Sequence, residues 1–336
     1  MLKETMMQVP KELEAVRFEI PEQLLSYNWE EAINVNQGET VKLLKVCKIQ
    51  SEMLQKCGSW PVTPETLTWM TLWTRNFNLL QGTISILESR VGIAKAGQEF
   101  TLRMLWRPAF ELWVTLNFIL NECAIMFSAH GPEKQTLAHR MCAYLAWCLW
   151  NDKKFTNKLT QSERLDTLFG NGKVPTHEAE QILNQWMEFA WGDEKAANAA
   201  EDRKTKHRVR LNSLNKRNLL LKWLHHEKLR DFEDQIRNKK PLNYFVLVEP
   251  ENKSLAYLIS SSLVEAGFPA YQEASALIHG STFIRHMELI DDHIFPSIAA
   301  SDDVVQRQAS HIRRSCNFNA MVIQAIQKRM ESESLI

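Results

Sequence analysis

The sequence predicts an all-α protein, a multi-helix bundle with a basic helical insertion and at most one short strand. Three observations predict it. Glycine and proline number only 11 each in 336 residues, too few to supply the tight turns that a β-rich chain needs. Apolar residues recur at three- and four-residue spacing along most of the chain, the period of a helix with one buried face. Helix-start signals precede such runs, most clearly at Thr63-Pro64-Glu65 and Ser301-Asp302-Asp303. The length exceeds that of a usual single domain. The patterning divides it into an N-terminal arm and first helix (1–62), the first part of the core bundle (63–191), a basic helical insertion (192–250) and the C-terminal part of the core bundle (251–336). The central bundle is expected from residues 64–150 and 250–330.

Residues 1–37 combine two prolines with little sustained periodicity, which predicts a partly extended arm docked by its apolar side chains. From Glu39 to Cys57 the run VKLLKVCKIQSEML repeats at helical spacing, and Gly58 closes a first helix. Threonine as cap, proline at the first helical position and an acid at the positive end open the next helix at residue 63. It runs to about Arg90 with Trp69, Trp73, Phe77, Leu80, Ile84 and Leu87 as its stripe. The most apolar segment, Glu99 to Glu122, follows. Pro108 lies within it, and a proline inside a helix costs about 3 kcal/mol. That predicts either a kink, or one helix ending near Arg107 and another starting at Pro108.

Residues 133–150 read as a further apolar helix and 151–174 as polar chain. Within it, Gly170-Asn171-Gly172-Lys173 lacks phosphate-loop spacing and is a plain turn. Thr176 caps a helix through Trp191. The basic tract becomes an amphipathic helix in its later part, through Leu219, Leu220, Trp223, Leu224 and Leu229, and ends at Pro241. Tyr244 to Val248 is the single strand candidate, or an extended linker. Helices resume at 254–266 and from Pro269 onward. The last begins at Ser301-Asp302-Asp303, with Val305, Ala309, Ile312, Cys316, Ala320, Ile323 and Met330 forming the stripe of a long helix packed across the bundle.

Composition is that of an ordinary globular chain, 45% hydrophobic and 24% charged. The formal net charge is zero but unevenly spread: Arg203 to Lys222 holds eight Lys or Arg and no acid, whereas Glu288, Asp291, Asp292, Asp302 and Asp303 cluster later. Such asymmetry serves either an internal contact or an external polyanion. The six cysteines, without C-x-x-C spacing, read as reduced core residues, and the eleven tryptophans as core. The run from Leu105 to Phe127 is long enough to span a bilayer, but Arg107, Pro108, Glu111, Asn117 and Asn121 argue against membrane insertion. With no signal-peptide pattern at the N-terminus, a cytoplasmic protein is expected.

The candidate chemistry lies in two stretches. Arg103, Arg107 and Glu111, four residues apart in an apolar helix, share one side of it. Charge in so apolar a segment is costly unless paired, and the stretch Tyr271 to Ser281, ending in His279-Gly280-Ser281, can supply a partner. Arginine grips phosphate bidentately and histidine moves protons near neutral pH, enough for metal-independent cleavage of a phosphodiester beside a 2′-hydroxyl. The bland alternative is a buried Arg–Glu–His network that fixes helix packing. In the basic tract, Arg203, Lys204, Lys206, Arg208, Arg210, Lys216 and Arg217 are the candidate contacts for RNA or another polyanion, against a solvated face. His279, His286 and His293 recur every seven residues near Glu288 and Asp292, but no Glu-x-x-His pair completes a metal site. The histidines therefore read as ordinary hydrogen-bonding groups, with no metal and no cofactor expected. Neither G-x-S-x-G nor H-E-x-x-H occurs.

Arg-x-x-x-Arg-x-x-x-Glu at 103–111, followed by Tyr271-x-x-x-Ser275-x-x-x-His279-Gly280-Ser281, resembles a bacterial all-helical family known as a domain of unknown function, over roughly residues 65–290. The His-Gly element is also similar to the end of the Arg-Asn-x-x-x-His motif of the HEPN (higher eukaryotes and prokaryotes nucleotide-binding) superfamily. His279 matches the histidine, while Ala274 and Ser275 stand where arginine and asparagine would be. The resemblance implies a helical nucleic-acid- or nucleotide-binding protein and, for its catalytic members, a ribonuclease in bacterial anti-phage or toxin–antitoxin defence. Arg103 and Arg107 would then hold phosphate, Glu111 would orient them, and His279 would act as acid or base. The competing class is a non-catalytic adaptor or scaffold that meets a protein partner or a second copy of itself.

Overall fold

The computed structural model describes residues 18–58, 60–89, 95–120, 136–162, 220–239, 243–248, 287–290, 293–296 and 302–336. The fold is all-α. The helices are α1 (Glu22–Leu25), α2 (Trp29–Val35), α3 (Gly38–Gln55), α4 (Pro64–Glu88), α5 (Lys95–Leu120), α6 (Leu137–Ser162), α7 (Glu227–Lys239, preceded by a 3-10 turn at Lys222–His225), α8 (Phe245–Val248) and α9 (Asp302–Ser332). Two short strands, β1 (Met287–Ile290) and β2 (His293–Pro296), pair antiparallel with Met287 opposite Pro296 and Ile290 opposite His293. The chain divides into two compact units, Ala15–Tyr144 with Pro241–Ile336, and Met1–Glu14 with Leu145–Lys240.

In the larger unit, α9 packs against α3, α4 and α5. Its stripe is the expected one: Val305, Ala309, Ile312, Cys316, Ala320, Ile323 and Met330 are all buried. Asp302 and Asp303 occupy its first turn, where acids suit the positive helix end. α4 starts on Thr63, whose hydroxyl accepts from the Thr66 N–H while the Thr66 hydroxyl accepts from the Thr63 N–H, with Pro64 at the first helical position. Its tryptophans bury their rings and place their N–H groups on carbonyls of other helices. Trp69 Nε1 donates to Ile323 O of α9 at 3.2 Å, and Trp73 Nε1 to Gln50 O of α3 at 3.0 Å. Where α4, α5 and α9 meet, Asn319 Nδ2 donates to Asn76 Oδ1 at 3.1 Å and to Ala109 O at 3.2 Å, and Asn76 Nδ2 donates to Cys316 O at 2.9 Å. Both amides are fully buried. At the solvent edge, Glu39 of α3 accepts from Arg313 of α9 and from Lys42, each at 2.6 Å.

Several expectations are corrected. The partly extended N-terminal arm carries two short helices over its described residues, α1 and α2, and docks through an apolar side chain as expected, the Trp29 ring meeting Phe77 edge-on. α5 neither ends at Arg107 nor restarts at Pro108. Its apolar faces on both sides of Pro108, Leu102 before it and Ala109, Phe110, Leu112 and Leu116 after it, are buried. At about 1.5–3 kcal/mol for each fully buried large side chain, that packing outweighs the proline penalty. α6 continues a dozen residues past the expected end at 150. Trp147 and Trp150 are only half-buried. The strand candidate 244–248 is the helical turn α8; with no strand to pair, Tyr244 and Phe245 pack on Phe118, and Tyr244 also on Tyr144. The helix expected from Pro269 onward does not include 287–296, where β1 and β2 lie, so there are two short strands instead of at most one. The helices expected at 176–191 and 254–266, and the turn at 170–173, lie outside the described residues. Among the described residues, no helix is long and apolar enough to cross a membrane.

Two measurements check this account. Burial raises the Glu39 carboxyl, but Lys42 and Arg313 outweigh it and hold the group below its ordinary value of 4.5. Its contribution is therefore fully present above that value and lost as pH falls through the lower folded one. Acid titration of the melting temperature should be flatter below about pH 5 in Glu39→Gln than in the wild type; parallel curves would contradict the assignment. Asn319→Leu removes the donor that joins Asn76 to Ala109, and should lower unfolding free energy in urea by about 1–3 kcal/mol.

Candidate functional site

α5 carries the candidate residues, and its neighbours fix it at both ends and in the middle. Near its start, Gln98 Nε2 donates to Ile86 O at 2.7 Å and Ser89 O at 3.1 Å, the last carbonyls of α4. In the middle, Asn319 holds Ala109 O. At its C-terminal end, where helix carbonyls lack intrahelical donors, Arg140 Nε of α6 donates to Ile119 O at 2.8 Å and Arg329 Nη1 of α9 to Leu120 O at 3.2 Å. Cations there also complement the negative end of the helix dipole.

The same contacts orient the helix about its axis. Leu105 faces Gly82 of α4, and Ala109 faces Asn319 of α9. Arg107 is two residues from each, about 200° round the axis, so it points away from α4 and α9. Glu99, Arg103 and Glu111 share that outward face. Arg107 Nε donates to Glu111 Oε1 at 2.9 Å, and Arg103 Nη2 pairs with Glu99 at 2.5 Å. The arginine side chains each retain 22% exposure, and the two acids 20% and 26%. The expected burial of this charge is thus partial: the residues form a partly exposed acid–base–base–acid row along one side of α5, with Arg103 Nε itself buried. Glu99 completes the row and was not among the expected residues, although its four-residue spacing from Arg103 is visible in the sequence. Adjacent arginines one turn apart, with Cβ atoms about 5–6 Å apart, can bring two planar forks to one phosphate group.

A further arginine escapes sequence reasoning altogether. Arg75 Nη1 donates to the hydroxyl of Tyr144 at 2.5 Å, joining α4 to α6 across 69 positions, and nothing in either local pattern signals it. His279, with the whole of Tyr271 to Ser281, lies outside the described residues, as do Arg203, Lys204, Lys206, Arg208, Arg210, Lys216 and Arg217. Downstream of them, the described part of the basic tract buries Trp223, Leu224, Leu229, Phe232 and Ile236, and Glu233 of α7 meets Lys153 at 3.8 Å, His225 at 3.6 Å and Arg237 at 3.0 Å. His286 lies outside the described residues too, and His293 is in β2, so the three histidines do not share one unbroken helix. Among the described residues no group of three or more His, Cys, Asp or Glu could hold a metal. No family model matches the chain, and neither the curated proteins nor the solved structures contain a match.

The roles assigned to these arginines differ in energy. Arg107→Ala removes a partly exposed i,i+4 pair that is itself worth about 0.3–0.5 kcal/mol. Arg140→Ala strips a buried cap from α5 and should cost several times more, about 2 kcal/mol. Denaturant melts of the two variants side by side should show that order.

Proposed function

We propose that the outward face of α5 binds phosphate groups of RNA or of a nucleotide, and that the protein acts as a HEPN-like, metal-independent ribonuclease in a bacterial defence setting inside the cell. The observation that carries this reading is the pair Arg103 and Arg107, one turn apart and partly exposed on a helix held at both ends. In the proposed reaction His279 takes the proton of a 2′-hydroxyl, whose oxygen attacks the adjacent phosphorus. The guanidiniums hold the charge that grows on the phosphoryl oxygens, Glu111 keeps Arg107 in orientation, and the bond from phosphorus to the 5′-oxygen breaks as that oxygen takes a proton from solvent water. The basic segment 203–217 adds sequence-independent attraction to the RNA backbone.

A second reading has its own observation. Each guanidinium already pairs with a carboxylate of its own helix, as it would in an adaptor whose charged face is only solvated. Labelled single-stranded RNA incubated with the full chain, Arg107→Ala and His279→Ala separates the two. The ribonuclease yields 2′,3′-cyclic phosphate ends, and each variant loses at least about a hundredfold in rate, the lower end of a general acid–base contribution. No cleavage by the wild type, or equal cleavage by all three, overturns the enzyme and leaves the adaptor.

A further inference from the structure

α9 has a second face that the bundle does not use. Arg307, His311, Arg314, Phe318, Met321, Ala325 and Lys328 follow at alternating spacings of four and three, the repeat of a helix-to-helix seam. Phe318 is 55% exposed and Met321 58%, one turn apart. Arg307, His311, Arg314 and Lys328 are exposed as well, and Ala325, half-buried and small, leaves room for a close approach. Burial, and then Arg314 and Arg307, hold His311 below the ordinary imidazole value, so these cations lie close enough to feel one another.

We propose that this seam docks a helix of a partner protein, amphipathic and acidic, whose apolar side chains close over Phe318 and Met321 while its carboxylates meet Arg307, Arg314 and Lys328. The spacing selects a helix, because an incoming helix reads anchors at three- and four-residue steps. The charge selects an acidic one. In a parallel pair of two copies Arg307 and Arg314 would each meet themselves, whereas an acidic helix meets them with opposite charge. A base-stacking track for RNA would place aromatic rings in succession, whereas here one ring is followed by a flexible thioether, a side chain suited to adaptable apolar contact. The seam is separate from the Arg103–Arg107 face, and its occupancy does not depend on ribonuclease activity.

The test uses the full chain and two labelled helical peptides of about 20 residues, long enough to span the seam at 1.5 Å per residue. One carries leucine at the seam positions with flanking glutamates, and the other the same leucines with flanking lysines. Fluorescence anisotropy should show the acidic peptide binding at least tenfold tighter than the basic one, with affinity falling as salt rises. Phe318→Ser with Met321→Ser should abolish binding without moving the melting temperature, since both side chains are exposed. Arg314→Glu should weaken it tenfold or more. Equal affinity for the two peptides, undiminished binding by the double serine variant, absence of binding, or loss of the acidic peptide to competing oligouridylate would each overturn the proposal. So would a concentration-dependent dimer that the double serine variant dissolves.

Discussion

The larger unit depends on the burial of one face of the C-terminal helix. α9 offers eight buried apolar side chains along one side and touches α3, α4 and α5. An isolated helix of this kind gains little in water, because helix formation alone barely offsets the lost chain entropy. The gain arrives when the three earlier helices are present to cover the stripe. Contacts between residues more than two hundred positions apart, such as Trp69 with Ile323 and Asn76 with Asn319, therefore define the fold. The polar atoms in that interface serve register as much as energy. Asn319 reaches Asn76 and Ala109 together only when α9 sits at one height against α4 and α5, and a slip by one turn would leave buried amides unpaired, at a cost of about 1–3 kcal/mol each.

Among the described residues, arginine serves different ends according to where its partner lies. Arg140 and Arg329 come from other helices to the carbonyls that end α5, and Arg313 of α9 reaches Glu39 of α3. These bonds join elements. Arg103 and Arg107 instead meet carboxylates one turn away in the same helix. Taken alone, an i,i+4 pair of this kind contributes tenths of a kcal/mol.

Much of the architecture was legible because it depends on local pattern. The α9 stripe, the Thr63 cap and the α4 tryptophan face follow from spacing and from the chemistry of single positions. Two of the errors share a cause, which is that tertiary contacts outweigh local preference. Pro108 signals a break by its own geometry, yet α5 runs through it because buried side chains on both flanks are worth more than one lost N–H. The run at 244–248 has strand composition, but its aromatic rings pack on Phe118 and Tyr144. The β1–β2 ribbon was missed for the opposite reason: Met287 to Ile290 and His293 to Pro296 are each too short to show an alternation. At the candidate site, the row on α5 was readable to within its exposure, since four-residue spacing alone puts Arg103, Arg107 and Glu111 together. That it faces away from α4 and α9 was not, because orientation about an axis is set by what the other sides of the helix touch. Arg75 with Tyr144 is beyond any local reading.

Pinning α5 has a consequence for the proposed role of the face that carries Arg103 and Arg107. Catalysis and tight anion binding both require donors that are already in place, because every rotor frozen on binding subtracts from the interaction. Held by Gln98, Asn319, Arg140 and Arg329, α5 pays little to present a backbone of fixed position, and the flanking Glu99 and Glu111 restrict the two guanidiniums further. The same carboxylates cancel the arginine charge, so the row is formally neutral. Under the proposed function, attraction over distance would therefore be asked of the segment from Arg203 to Arg217, where cationic charge is concentrated without acids. The row on α5 would then discriminate at contact by geometry, because a bidentate fork tells phosphate from a chloride or a carboxylate of the wrong spacing.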